Sequence, residues 1–82
     1  MNRRELYDSL AIRRKNLRFR ELLGAAEAFG FSPKGRTGSH VKYGRAGIIE
    51  LLDFQEVRGK AKPYQVDQFL DVIDKYKLLE RE

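Results

Sequence analysis

At Gly30 the hydrophobic period of this sequence changes from that of a helix to that of a strand, and any fold for the chain must accommodate that change. Before it, Phe19, Leu22, Leu23, Ala26 and Phe29 recur at three- and four-residue intervals, the spacing of a well-buried helical face. After it the period is two. Phe31 and Pro33 fall on one side, and Ser32, Lys34 and Arg36 fall on the other. Gly30 suits the junction because it tolerates positive φ at a helix end. A helix over Phe19 to Phe29 followed by strands places the chain in the α+β class.

The remaining elements follow from local signals. Asn2 with Glu5 has the form of a capping box, and Leu6, Leu10 and Ala11 make a narrow apolar stripe with Tyr7 beside it. These residues predict a first helix over 3–14. Arg13, Arg14 and Lys15 meet the negative end of its dipole, a placement that needs no ligand. Thr37-Gly38 turns the first strand into a second, Ser39 to Tyr43, and Gly44 to Gly47 form another turn. Ile48 to Gln55 is apolar on both faces, and the flanking turns make a third antiparallel strand its expected structure. Glu56 to Lys62 reads as a polar loop, and Pro63 opens a final helix carrying Val66, Phe69, Leu70 and Ile73, with Asp71 and Lys75 as an exposed pair, ending near Leu78. The expected fold is a single domain over 1–82. It comprises an extra helix at 3–14 and an α-β-β-β-α core at 17–79, with the helices on one face of a three-stranded antiparallel sheet. That element order is the one found in double-stranded RNA-binding domains.

Composition narrows the function. The 82 residues suffice for one modest core, and with no cysteine that core rests on packing alone. No disulfide, zinc site or redox chemistry is suggested, and no acidic cluster has metal-ligand spacing, so no metal or cofactor is expected. The absence of a long apolar run argues against membrane insertion, and the charged start of the chain argues for a cytoplasmic protein. Positive charge is concentrated in two zones: residues 1–20 carry seven basic against two acidic side chains, and residues 34–62 carry seven against three. Clustering of this kind serves a polyanion, because each phosphate contact releases counterions.

The second zone holds the only histidine, in Thr37-Gly38-Ser39-His40-Val41-Lys42-Tyr43. Alternation sets Val41 and Tyr43 against His40 and Lys42, so a core-facing Val41 holds the imidazole on the opposite, accessible face of a rigid element. Such an imidazole can transfer protons near neutral pH. In the expected register Lys34, Arg36, His40 and Lys42 share that face. Lys60 and Lys62 lie at the start of the last helix, where amide groups and dipole already attract anions. With Ser39, these lysines and arginine form the candidate RNA-binding set around His40 as the catalytic group. Tyr43 and Gln65 are weaker candidates for a polar partner. A serine nucleophile is not indicated, since His40 alternates away from Ser39.

The run Phe19 to Phe31, the Thr37-Gly38-Ser39-His40 segment, Leu52-Asp53-Phe54-Gln55 and Gly59-Lys60-Ala61-Lys62-Pro63-Tyr64-Gln65-Val66 with Gln68-Phe69-Leu70 resemble the HicA toxins over about residues 2–79. The resemblance implies a small mRNA-cleaving toxin of a type II toxin–antitoxin pair, with a fold similar to the double-stranded RNA-binding domain. It also implies a required histidine at the position of His40. A HicB-type antitoxin would cover the active site, with the toxin monomeric alone and oligomeric in that complex. Many HicA proteins carry a second histidine after a proline in the third-strand region. This chain has Asp53-Phe54-Gln55-Glu56 there and must work with one imidazole. The alternative function is an RNA-binding module that uses the same basic surface without cutting.

Overall fold

The computed structural model describes residues 1–80; residues 81 and 82, which the sequence assigns to the same domain, lie outside the described residues. Helix α1 (Arg3–Arg13) starts on the expected capping box. The Asn2 side chain accepts from the Glu5 amide at 2.8 Å, and Glu5 accepts from the Asn2 amide at 3.0 Å. Helix α2 (Phe19–Ala28) ends before Gly30, whose φ of 88° turns the chain into strand β1 (Ser32–Thr37). Gly38 (φ 61°) and Ser39 then form a two-residue loop into β2 (His40–Gly44), the connection that suits the twist of an antiparallel pair.

Two expectations about the next segment are corrected. Strand β3 is Leu52–Val57 and does not begin at Ile48. Ile48 to Leu51 instead run outside the sheet, where Glu50 is clamped by Lys75 Nζ and Tyr76 Oη, each donating at 2.6 Å. Lys75 therefore pairs with Glu50 and not with Asp71. The segment expected as a polar loop is a hairpin. Arg58 (φ 53°) and Gly59 (φ 78°) reverse the chain, and Lys60–Ala61 form a short strand β4 against β3. The sheet thus has four antiparallel strands in the order β1-β2-β3-β4, where three were expected. The α1–α2 linker extends it further. Ala61 donates to the Leu17 carbonyl and Phe19 to the Gly59 carbonyl, both at 2.9 Å, and Arg18 bridges Lys60.

Helix α3 (Pro63–Lys75) begins on proline and stops three residues short of the expected Leu78. Lys77 takes φ 53°, its amide bonds the Asp74 carbonyl, and the Leu78 amide bonds the Ile73 carbonyl, closing a Schellman motif. The core lies between the helices and one sheet face: Leu22, Ala26 and Phe29 of α2 and Val66, Phe69 and Ile73 of α3 pack with Val41, Tyr43, Leu52 and Phe54. No helix packs on the opposite sheet face; at its Gly44 end the Leu51 side chain lies over it, beside the stem of Lys34.

The Glu50 clamp gives the fold a titratable tie. The bonds from Lys75 and then Tyr76 hold the Glu50 carboxyl at about 2, below the ordinary 4.5. A depressed folded-state value means that the stabilisation is present above 4.5 and is lost as pH falls toward 2. Wild type should therefore melt above Glu50→Gln at pH 6, and the two melting curves should converge near pH 2. A gap that persists unchanged at pH 2 would show that the clamp does not depend on the carboxylate charge.

Candidate functional site

The site is built on the sheet face opposite the helices. His40 pairs with Gln55 and Lys42 with Asp53 across β2 and β3, and directly opposed residues share a face. Val41 and Tyr43 are buried on the other side. The row His40, Lys42, Asp53 and Gln55 is therefore carried outward by strands whose inner side chains are locked in the core. His40 keeps 42% of its side-chain surface exposed.

The imidazole is held by a carboxylate. His40 Nδ1 lies 3.1 Å from Asp53 Oδ1, diagonally across the strand pair. With Nδ1–H donating to Asp53, the Nε2 lone pair is directed away from that contact and is available to a substrate proton. Nearby, Gln55 Nε2 donates to Ser39 Oγ at 3.3 Å, tying the loop before His40 to β3. Gln55 is itself fixed from the edge of the sheet: β4 ends at Ala61, and Gln65 Oε1 accepts the Gln55 amide at 2.7 Å in place of the missing strand residue. Gln65 is the one buried polar side chain among the described residues. That burial makes it a structural cap on β3.

The candidate cations separate into groups. Lys42 stands beside Asp53 on the His40 face. Lys34 occupies a bulge between Pro33 and Gly35, and its stem lies 3.2–3.3 Å from where a Cβ on Gly44 would sit, which puts it over the same outer face. Arg36 does not join them. The bulge adds one residue to β1 and shifts the alternation, so Arg36 opposes Val41 and faces the helix side. The expectation that Lys34, Arg36, His40 and Lys42 share one face is corrected at Arg36.

Lys60 is in β4, not at the helix start, and its Nζ donates to Asn16 Oδ1 at 2.7 Å. Through the Val57–Lys60 pairing it remains on the outer face, and Arg18 continues the row. Lys62 is the N-cap of α3, with Nζ 5.8 Å from the Tyr64 ring centre. Lys34, Lys42 and Lys62 form no ion pair with any described residue. By contrast Arg13 is bound to Glu21 and Arg14 to Asp67, which leaves the end of α1 committed to structure.

Tyr43 is corrected as a polar partner for His40. It points inward, and its hydroxyl donates to Glu27 Oε2 at 2.9 Å; burial and then Glu27 push its pKa up. Asp53 and Arg18 were not anticipated from the sequence. Asp53 was legible in principle, because Asp53 and Gln55 alternate with the buried Leu52 and Phe54. Arg18 was not, since its place depends on β4.

A groove of about 290 Å³ between Leu51, Leu52 and the Gln68, Asp71 and Val72 face of α3 does not include His40. Among the described residues no helix is long and apolar enough to cross a membrane, and no three His, Cys, Asp or Glu side chains converge as a metal site. Comparison with family models, with curated proteins and with solved structures found no match to this chain.

Proposed function

We propose that this chain is a HicA-like toxin, a cytoplasmic metal-independent endoribonuclease that cleaves mRNA with His40 as its general acid/base and that a HicB-type antitoxin covers. In this reading the α2-to-α3 core is a variant of the double-stranded RNA-binding-domain arrangement with α1 added. The toxin is monomeric alone and oligomeric with its antitoxin. The observation that carries the reading is the His40–Asp53 pair at 3.1 Å on an open sheet face bearing Lys34, Lys42 and Lys60. An exposed histidine with no chemistry would need neither the carboxylate nor the cations.

The chemistry follows from these groups. RNA laid over the face brings a 2′-hydroxyl to His40 Nε2, which removes its proton as the 2′-oxygen attacks the adjacent phosphorus. The bond from phosphorus to the 5′-oxygen breaks, and that oxygen takes a proton from water or a lysine ammonium. Lys42, Lys62 and Lys60 stabilise the charge that develops on the phosphorane, and Ser39 contributes a hydroxyl at its edge. Asp53 positions the ring and stabilises the imidazolium once formed. The products are a 2′,3′-cyclic phosphate and a 5′-hydroxyl.

Purified protein incubated with RNA in a chelating agent should yield those ends. Intact but retarded RNA would replace the enzyme with a non-catalytic RNA-binding module.

A further inference from the structure

We propose that Tyr64, flanked by Lys62 and anchored through Gln65, is a stacking subsite for an unpaired nucleobase beside His40. This inference rests on the RNA reading above and adds to it the part of the substrate that is recognised.

Tyr64 is 54% exposed and is the only aromatic among the exposed large apolar side chains of the described residues. Its surroundings are nonetheless ordered. Gln65 Nε2 is 3.4 Å from Tyr64 Oη, and the same Gln65 side chain, 3% exposed, bonds the Gln55 amide. Gln55 is the cross-strand partner of His40. The buried Gln65 side chain thus connects the ring to the backbone N–H of the strand residue paired with His40, at the edge of β3 beyond the end of β4. One strand spacing, about 4.8 Å, separates the backbones of those two residues.

Apart from the His40 imidazole, the outer face offers hydrogen-bonding and charged groups but no ring: Lys42, Asp53 and Gln55 complete the row, with Lys34 at one end and Lys60 at the other. With the imidazole engaged in proton transfer, Tyr64 is the exposed aromatic side chain left among the described residues for the base of a nucleotide held by these cations. Lys62 Nζ, 5.8 Å from the ring centre, supplies an ammonium for a phosphate flanking that base. Stacking of this kind is tolerant of sequence, since every base has a π-face. It requires a base free of a duplex, so the favoured substrate presents an unpaired base next to the cut.

The test uses the full chain carrying His40→Ala, so that RNA is bound and not cut. The probes are a short single-stranded RNA with 2-aminopurine near its centre and the same strand in a duplex. With Tyr64 present, the single strand should bind with quenching of the probe, and the duplex should bind more weakly. Tyr64→Ala should remove the quenching and weaken single-strand binding roughly ten- to a hundredfold, while Tyr64→Phe should retain both. The duplex affinity should not change with either variant.

Equal single-strand binding and quenching by the alanine variant would overturn the subsite and leave the RNA reading standing. Absence of binding to either RNA at low salt by the Tyr64-containing protein would remove both. A thermal melt of each variant separates lost recognition from lost folding: an affinity loss matched by a melting loss in Tyr64→Ala assigns the ring a structural role and overturns the proposal.

Discussion

Replacement of His40 by alanine should abolish RNA cleavage while leaving RNA binding largely intact. The separation is expected because, in the proposed mechanism, affinity would come from lysines that meet phosphates, whereas the imidazole would contribute when the 2′-hydroxyl proton moves. Loss of one positioned base removes about 10²- to 10⁴-fold in rate, enough to drop a slow nuclease below detection. Asp53→Ala should give a smaller loss confined to kcat, since a residue that orients the ring affects the reacting geometry and not the ground-state grip on RNA. Asp53 is half-exposed, so its truncation should not unfold the chain. Full cleavage by a folded His40→Ala protein would end the enzyme proposal. A KM effect without a kcat effect in Asp53→Ala would reassign that carboxylate to binding.

The contrast between Lys34 and Arg36 shows why the sequence positions some site residues and misplaces others. Alternation is a local signal, and it correctly separates His40 and Lys42 from the buried Val41 and Tyr43. Carried back across the turn, it fails at the bulge that β1 makes at Lys34, where one added residue reverses the faces. No property of Lys34 itself announces a bulge. Pro33, confined to edge strands and irregular positions, is the nearest hint.

A similar division runs through the rest of the fold. Helices α1 and α2 are legible because their caps and periodic faces are written within a dozen residues, with Asn2, Glu5 and Gly30 as punctuation. Strand β4 is not, since its turn uses Arg58 at positive φ, a position for which asparagine or glycine is the usual signal. The start of β3 is hidden for a different reason. Ile48 to Leu51 have strand composition but are held out of the sheet by the Glu50 clamp to Lys75 and Tyr76, a contact between residues 25 and 26 positions apart. The His40–Asp53 pair likewise depends on the register between β2 and β3, which the loop between them leaves unspecified.

Phe69→Ala should cause the largest loss of stability of any single truncation. Phe69 has no exposed surface, and its ring meets Phe29 at 5.7 Å, Phe31 at 5.8 Å and Phe54 at 6.1 Å, each nearly edge-to-face. It therefore joins α3 to the end of α2, to the residue that leads into β1, and to β3. Removing a buried phenylalanine costs about 3–5 kcal/mol in transfer and cavity energy. A domain of this size has only about 5–15 kcal/mol in total and belongs toward the lower end. The melting temperature should fall by roughly 20 °C or more, whereas Phe69→Leu, which fills most of the space, should lose much less. A fall of under about 5 °C for the alanine variant would mean that the aromatic cluster does not hold the layers together. The same variant tests how far the site depends on the core. Phe54 lies on β3 between Asp53 and Gln55, so loosening its packing should disturb the strand that holds the His40 ring. Measured well below its own melting point, Phe69→Ala should cleave RNA more slowly than wild type but faster than His40→Ala, because the imidazole is still present and only its support has slackened.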